Sequence, residues 1–299
     1  MQDSTKHAYR KLCAHFFTQH MQGKDLTRRT ITETLVELAP QFSIAYFRRL
    51  KNAIAFGLTE REYSDAARSI LEIENPVTAP GSPIKKKVQP PRAKHFSDED
   101  YAVIAAHLLD KQHHEEWAAL TLIKFTGARP AELKKMTVKD GIIAIMGAKK
   151  SHASTRGADR LLTVDDSGAL SIIETCLMIL SQSDKSMDAV RHRLRDEGTK
   201  LWPRRNAVPT LYSMRHQVGS NLKASGKDAR VVAYIMGHQS TDSVSVYGDK
   251  RRGNGSAIKV SPAQDAQLDE IRDKVKPAGK RRFEAMIYRP DRSGPNRTG

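Results

Sequence analysis

The first 75 residues carry apolar side chains at the three- and four-residue intervals that are typical of amphipathic helices. Four such groups follow one another and are separated by short polar stretches. They comprise Tyr9, Leu12, Cys13, Phe16 and Phe17; Ile31, Leu35 and Leu38; Ile44, Phe47, Leu50, Ile54 and Leu58; and Ala66, Ile70 and Ile73. The pattern predicts four short helices that form a small all-α domain over residues 1–75.

A proline-rich basic segment over residues 76–96 interrupts the helical pattern. The stretch "NPVTAPGSPIKKKVQPPRAKHF" contains five prolines and almost no large apolar side chain. Because proline lacks a backbone donor and favours extended backbone, the segment is predicted to be a linker. Its basic residues Lys85, Lys86, Lys87 and Arg92 leave two interpretations open. The linker either lies against phosphate groups or is a solvated tether.

Helical patterns resume at Ser97, where "SDED" predicts an N-cap serine followed three positions later by an acidic residue. The next helix, "EEWAALTLIKFT", is predicted to end at Gly127, and a third opens at "RPAELKKM". The short apolar runs "GIIAIMGA" and "DRLLTV" predict two strands joined by a polar hairpin, after an Asp140-Gly141 turn. Helices are predicted again in "SIIETCLMILSQS", "SMDAVRHRLRDEG", "TLYSMRHQVGSNLKASG" and "DARVVAYIMGH". Residues 97–250 are therefore predicted to form a mainly α domain with a small β-sheet.

The C-terminal tail, residues 251–299, contains one amphipathic stretch and a basic end. Ala263, Leu268, Ile271 and Val275 have helical spacing, which predicts one helix that could join neighbouring subunits. The end of the tail, with "KRRF", is either a DNA-contacting segment or a charged, unstructured terminus.

Composition changes the picture by pointing to a polyanionic partner. The formal net charge is +16, and 299 residues are enough for two domains with separate cores. Such an excess of positive charge favours nucleic acid as the partner. The alternative interpretation is a basic protein that stays soluble by self-repulsion. The sequence shows no signal-peptide h-region and no apolar run of bilayer length, so a cytoplasmic protein with no membrane partner is expected. Cys13 and Cys176 lie far apart, which favours neither a disulfide nor a zinc site.

Four polar residues stand in three separated fragments with chemical potential. Arg129 follows a helix-ending glycine in "FTGARPAEL", at a helix start where backbone amides also favour anions. Arg215 lies in "LYSMRHQ", three residues after Tyr212. His238 closes a helix at "MGH", and Tyr247 follows nine residues later. Each fragment alone is a weak signal, but the set in this order is far less likely by chance than any one fragment.

In this order and at these intervals, the fragments resemble the tyrosine-recombinase or phage-integrase family, the Xer- and Cre-like enzymes. "TGARPAEL" is similar to the family's Thr-Gly-x-Arg-x-x-Glu-Leu box, and the stretch from Arg215 through Gly237-His238 to Tyr247 is similar to its second box. The resemblance covers residues from about 97 to 250. It implies a catalytic lysine in the β-hairpin, for which Lys150 is the first choice and Lys149 the alternative, with His152 as a further DNA contact.

The resemblance implies a two-domain DNA clamp, with an N-terminal helical core-binding domain and a catalytic domain. It further implies a covalent 3′-phosphotyrosyl intermediate formed by Tyr247, without metal, ATP or another cofactor. The implied partners are double-stranded DNA with specific recombination sites, a homo-tetramer on paired sites that passes through a Holliday junction, and accessory directionality factors. The implied location is the cytoplasm and nucleoid of a bacterium, with the gene in the host, a phage or another mobile element.

The roles implied for the site follow the chemistry of phosphodiester transfer. Arg129 and Arg215 would neutralise the charge on the nonbridging oxygens, since a guanidinium stays charged and pairs with phosphate in a fork. Lys150 would protonate the leaving 5′ oxygen. His238 and Tyr212 would bind phosphate and manage the proton of the nucleophile.

Tyr212 departs from the family pattern, because the second box normally opens with histidine. A phenol can donate to a phosphate oxygen but cannot act as a base at neutral pH. The proton of the nucleophile would then pass to His238, or to His216 from a less suitable face. Glu132 is predicted to orient Arg129 or the hairpin, and Tyr234 is predicted to be a core residue.

Two alternative functions remain open from the sequence. One is a DNA-binding or architectural protein that keeps the fold without the chemistry, which the Tyr212 departure favours. The other is a type IB topoisomerase-like enzyme, which shares the active-site design but relaxes any DNA. The cluster from His113 to Glu116 is predicted to be a solvated helix start rather than a metal site, because contiguous side chains do not share one helix face.

Overall fold

The computed structural model describes residues 1–148, 157–164 and 166–273 of the chain. By its internal contacts the chain divides into two compact units, Met1–Pro91 and Arg92–Gly299. Both units are mostly helical, and the second contains one small antiparallel sheet, so the predicted fold class is confirmed at this level. Among the helices in these ranges, none is both long and apolar enough to cross a bilayer.

The first unit consists of four helices around one apolar core, as the periodicity predicts. Helix α3 packs against both α1 and α4, and its start is capped by the Ser43 hydroxyl, which accepts a hydrogen bond from the Tyr46 amide. Because α3 lies between two neighbours, it contributes more buried residues to this core than any of the other three helices. The helices are α1 (Asp3–His20), α2 (Arg28–Leu38), α3 (Ile44–Thr59) and α4 (Ser64–Glu72).

Residues 76–96 contain neither helix nor strand. The side chains of Lys85, Lys86, Lys87 and Arg92 are all exposed to solvent. Lys87 Nζ donates a hydrogen bond of 2.7 Å to the carbonyl of Gln41, whose oxygen lies beyond the end of α2. The basic groups of this segment are therefore accessible to a polyanion.

The second unit is organised around one central helix that is buried on nearly all sides. Helix α6 contacts α5, α7, α8 and α9, and its residues from Ala118 to Ile123 are almost fully buried. As predicted, it ends at Gly127, which adopts a left-handed conformation with φ of 63°. The helices are α5 (Asp98–Asp110), α6 (His114–Thr126), α7 (Ser167–Ser181), α8 (Met187–Leu201), α9 (Leu211–Ala224), α10 (Ala229–Ile235) and α11 (Asp242–Val246).

The cap of α5 forms only half of the predicted motif. The Ser97 hydroxyl accepts a hydrogen bond from the Asp100 amide at 3.0 Å, as predicted for an N-cap. The Asp100 carboxylate receives two hydrogen bonds of 2.8 Å from Arg205. Arg205 comes from the loop after α8, so a long-range ion pair takes the carboxylate that the sequence pattern assigns to the cap.

The sheet has four antiparallel strands in the order β1-β2-β3-β4. The two predicted strands are β2 (Ile142–Ile145) and β3 (Arg160–Val164); β1 (Thr137–Lys139) and β4 (Val260–Pro262) were not predicted, since three residues carry too little alternation. Asp140 and Gly141 both have positive φ, as a two-residue hairpin turn between β1 and β2 requires. The predicted helix at "RPAELKKM" is wrong: Pro130–Lys135 is a 3-10 turn, cut short because β1 begins two residues later.

The predicted amphipathic helix in the tail is also wrong over the part that the structure describes. Strand β4 pairs with the outer edge of β3, and a 3-10 turn follows at Leu268–Glu270. Ala263 and Ile271 are both buried, and Ile271 belongs to the unit's own core. The ladder with β3 satisfies backbone groups that a helix would have paired locally. Residues 274–299, with Val275 and "KRRF", lie outside the described ranges.

Candidate active site

The turn after α6 positions Arg129 inside the second unit. Its side chain is only 9% exposed, and Nη1 donates to Glu132 Oε1 at 2.8 Å. Its second terminal nitrogen, Nη2, donates to the carbonyl of Gly237 at 3.1 Å. The second of these bonds joins two sequence fragments that are 108 residues apart.

Helix α9 places Arg215 at the junction of the same elements. The residue is completely buried, and its Nη1 donates to the carbonyl of Gly127 at the end of α6. Nη2 donates to the carbonyl of Met236 at 2.6 Å and lies 3.2 Å from His238 Nε2. Arg215 therefore links the ends of α6 and α10, and its contacts bring the three fragments together.

His238 is held as a neutral imidazole. A guanidinium can only donate, so the contact between Arg215 Nη2 and His238 Nε2 makes this ring nitrogen the acceptor. Burial is the main cause that lowers the pKa of His238, and together with the nearby charges of Arg215, Arg129 and Arg160 it brings this pKa to about 3. At neutral pH the ring is thus uncharged, with its proton on Nδ1.

The ring of Tyr247 lies at the edge of the apolar core, where it contacts one guanidinium and two imidazole groups. Its centroid lies 4.9 Å from that of His238 and 4.8 Å from that of His216, with which it stacks at 24°. Arg215 Cζ lies 5.1 Å from the same ring centroid. The backbone of Tyr247 reaches α9 at Gly219, where a Cβ would lie 3.3 Å from Tyr247 Cβ. Tyr247 thus stands at the centre of the cluster, at the end of α11.

Tyr212 and His216, the other two residues considered for the proton of the nucleophile, are placed differently from His238. Tyr212 lies in the first turn of α9 and is 45% exposed, whereas Arg129, Arg215 and His238 are at most 9% exposed. His216, one turn further along the same helix face, stacks flat on Tyr247, so its ring nitrogens face away from an in-plane bond to the phenol. Burial lowers the pKa of His216, and the charges of Lys94, Arg215 and Lys223 lower it further.

Lys149, Lys150 and His152 lie outside the described residues, so the choice of catalytic lysine stays a prediction. The residue just before them is tied to the cluster. The Ala148 amide donates to Glu132 Oε1 at 3.2 Å, and the Gly147 amide donates to Asp159 Oδ1 at 2.8 Å. The first residues of the hairpin loop therefore begin beside Arg129.

Glu132 contacts both groups that the sequence predicts it to orient, Arg129 and the start of the hairpin. Burial would raise the pKa of this carboxyl, but the charge and hydrogen bond of Arg160, followed by those of Arg129, hold it at about 2. Arg160 was missed by the sequence analysis. The available signal was a basic residue at an inward position of β3, in register with the buried Leu162. Tyr234 is 6% exposed and belongs to the core, as predicted.

The cluster has the chemical means to handle a phosphodiester. It combines a phenol, two guanidinium groups and a neutral imidazole, and the single buried carboxylate among them is matched by more than one positive charge. Guanidinium groups held in a buried site are placed to stabilise developing negative charge. Such a site suits nucleophilic attack on an anionic, tetrahedral centre.

The buried neutral state of His238 predicts a pH-dependent stability. Below pH 6.5 the unfolded chain binds a proton at His238, whereas the folded chain does not until about pH 3. The contribution of His238 to the free energy of unfolding should therefore be fully present above pH 6.5. It should be lost as the pH falls from 6.5 toward 3, by at most ~1.4 kcal/mol per pH unit. We expect His238→Gln to make this decline shallower in urea unfolding measured between pH 5 and 7.5.

The control for this prediction is His114→Gln, which removes an exposed histidine in the same unit. This variant should keep the pH slope of the unchanged protein. Equal slopes for His238→Gln and the unchanged protein would show that His238 is not held neutral by the fold.

Comparisons with known proteins point in one direction. No family model matches the sequence. The tyrosine recombinase XerD of Shewanella oneidensis is 24% identical over 275 residues, which cover 83% of this chain and 86% of that protein. The lambda integrase tetramer bound to a Holliday junction aligns with a TM-score of 0.55 and 16% identity, over 84% of this chain and 73% of that one. The Tn1549 transposon integrase in complex with transposon right end DNA aligns with a TM-score of 0.51 and 15% identity, over 82% of this chain and 88% of that one.

These findings confirm the resemblance predicted from the two sequence boxes. The similarity to XerD extends over most of both chains rather than over the boxes alone. The integrase structures add that the chain has an integrase-like fold.

Proposed function

We propose that this chain, which resembles the tyrosine recombinases in its motifs and its fold, is a site-specific DNA recombinase. One observation carries the proposal: Tyr247 packs on Arg215 and His238, while Arg129 reaches the same place through the Gly237 carbonyl. These residues come from separate segments and converge only in the folded chain. The relatives, which are named recombinases and integrases, support the same reaction class.

The proposed reaction is transfer of a phosphodiester to the phenol. Tyr247 Oη attacks the scissile phosphorus, the bond to the 5′ oxygen breaks, and a 3′-phosphotyrosyl bond forms. Arg129 and Arg215 stabilise the charge on the nonbridging oxygens. Lys150, or Lys149 in its place, gives its proton to the leaving 5′ oxygen. Attack by a 5′ hydroxyl on the phosphotyrosine reverses the steps and rejoins the strand, so the energy of the broken bond is kept.

His238 is the better-placed group for the proton of the nucleophile. Its ring is neutral and next to that of Tyr247, although its Nε2 accepts from Arg215 in this structure. A phosphate that draws Arg215 toward itself would release Nε2 to accept the phenol proton. Tyr212 is assigned to phosphate binding only, because a phenol is not a base at neutral pH.

We propose that the two units hold duplex DNA between them, with residues 1–75 as a core-binding domain and residues 97–250 as the catalytic domain. The exposed basic groups of the linker, together with Lys149 and His152, would contact the phosphate backbone of the DNA. Four copies would assemble on paired sites, with accessory factors setting direction and with the cytoplasmic nucleoid as the place of action. The integrase tetramer on a Holliday junction supports this assembly by analogy.

The linker assignment predicts a measurable salt dependence. If Lys85, Lys86 and Lys87 lie against phosphates, the slope of log affinity against log salt should become shallower by about 3 when all three are replaced by alanine. The measurement is DNA binding by anisotropy over a range of salt concentrations. An unchanged slope would assign the segment as a solvated tether.

The activity test compares supercoiled DNA with and without paired copies of the candidate site, taken from DNA flanking the gene. A recombinase produces rearranged products only when both sites are present. A topoisomerase-like enzyme relaxes both substrates, and a DNA-binding protein without chemistry retards both and alters neither. The first outcome supports the proposal, and either of the others overturns it in favour of the named alternative.

A further inference from the structure

One buried carboxylate is shared by two guanidinium groups beside the proposed phosphate site. Glu132 is completely buried, and its Oε2 accepts from Arg160 Nη2 at 2.9 Å and from the Arg129 amide at 2.8 Å. Its Oε1 accepts from Arg129 Nη1 at 2.8 Å and from the Ala148 amide at 3.2 Å. All four hydrogen bonds favour the charged carboxylate.

Without Arg160, this group would carry no net positive charge. Arg129 and Glu132 alone would form a neutral pair, and the positive charge of Arg129 would be largely cancelled for any anion that approached it. Arg160 brings a second positive charge to the same carboxylate. The trio then carries a net charge of one positive unit, and Arg129 uses only one of its terminal nitrogens on Glu132.

Arg160 cannot itself meet a nucleic acid in this fold. Its side chain is fully buried at the start of β3, and Gly237 lies directly against it, where a Cβ would be 2.5 Å from Arg160 Nη1. Burying a charged guanidinium is costly unless it is paired. Burial lowers the pKa of Arg160, and the charge and hydrogen bond of Glu132 oppose this shift, so the guanidinium is buried as one partner of an ion pair.

We propose that Arg160 is a positioning residue of the strand-transfer site: it offsets the charge of Glu132, so that Glu132 can orient Arg129 and leave Arg129 positively charged toward the scissile phosphate. This inference rests on the proposed recombinase function. It gives Arg160 no contact with the substrate, and its effect passes through Glu132 alone.

Charge balance gives a test that a purely structural role would not satisfy. Arg160→Met leaves Arg129 as the only positive partner of Glu132, so the charge of Arg129 is largely cancelled. We expect the single-turnover rate of cleavage of a nicked suicide DNA to fall about 10²-fold, with DNA affinity within about threefold. Arg160→Lys keeps the charge and should stay within about tenfold of the unchanged protein. The double variant Glu132→Gln with Arg160→Met removes both charges and should cleave at least about tenfold faster than Arg160→Met.

The matched control is Arg205→Met, which removes an arginine of the same unit that donates two hydrogen bonds to a different carboxylate, that of Asp100. It should retain the rate of the unchanged protein. If Arg160→Met cleaves as fast as the unchanged protein, or if the double variant is as slow as Arg160→Met or slower, the inference is wrong. Should Arg160→Met fail to fold, Arg160→Gln replaces it in every comparison.

A second readout does not depend on activity. The Glu132 carboxyl, identified with Glu132→Gln, is titrated by carbon-13 NMR in the full chain with and without Arg160→Met. We expect its midpoint to rise clearly above the value of about 2 that the ion pairs maintain. An unchanged midpoint overturns the inference about Arg160. Absence of a covalent adduct with the unchanged protein would instead overturn the recombinase proposal and leave this titration to decide the role of Arg160.

Discussion

Replacing Tyr247 with phenylalanine is expected to abolish the covalent protein–DNA adduct. The substitution removes one hydroxyl, while the ring contacts with His216, His238 and Arg215 can remain. The fold and DNA binding should therefore persist, and the loss should be confined to the chemical step, because no other atom of this side chain can attack phosphorus. The measurement uses a suicide DNA, nicked near the cleavage site so that rejoining is blocked, and a denaturing gel.

Tyr234→Phe is the matched control for this experiment. Its hydroxyl is also within the second unit, but it accepts a hydrogen bond from the Leu161 amide at 3.0 Å and belongs to the core. Its removal should lower the free energy of unfolding by about 1 kcal/mol and leave adduct formation intact. An adduct that survives Tyr247→Phe would place the nucleophile elsewhere. Specific binding without an adduct from the unchanged protein would favour the non-catalytic alternative.

Gly237→Ala is expected to have the next largest effect, because two arginines approach this glycine. A Cβ at this position would lie 3.0 Å from Arg160 Cζ and 3.3 Å from Arg129 Nη1, as well as closer still to Arg160 Nη1. Both guanidinium groups would have to shift, and Arg129 would no longer be oriented toward the phosphate. We expect a ~10²–10³-fold lower cleavage rate, comparable with removing one fixed donor.

Gly226→Ala separates this clash from simple backbone strain. Gly226 has φ of 75°, similar to the 62° of Gly237, but a Cβ there would meet nothing within 4 Å. Both variants lose about 1 kcal/mol or more of stability from the left-handed backbone, which thermal unfolding would report. Only Gly237→Ala should lose cleavage at a temperature where both are folded. Similar rates for the two variants would contradict the packing of Arg129 and Arg160 on Gly237.

Much of the fold follows from local pattern. Helices α3 and α5 could be predicted because their apolar periods and capping serines lie within a few residues of one another. Strand β4 could not, because its three residues become a strand only by pairing with β3, about a hundred positions earlier. The tail around Ile271 shows the same limit. Its helical spacing was real, but packing against the core decided the conformation.

The candidate site shows a similar division. Arg129, Arg215, His238 and Tyr247 could be named from their motifs, since each lies in a short stretch with recognisable spacing. The stacking of His216 on Tyr247 could not, because it depends on how the segment after α10 folds back onto α9. Arg160 was hidden in an apolar strand, and its importance depends on Glu132, 28 residues away.

The sequence by itself determined the helical class, the sheet's two longer strands, the basic charge and the identity of the residues that the proposed chemistry needs. These are properties of composition and short-range spacing, which are present before the chain folds. Only the tertiary structure decided which of those residues meet, that His238 is neutral, and that Arg129 and Arg160 both lie against Glu132 and Gly237. Burial, and hydrogen bonds between positions 28 to 108 residues apart, are created by packing and have no local signature.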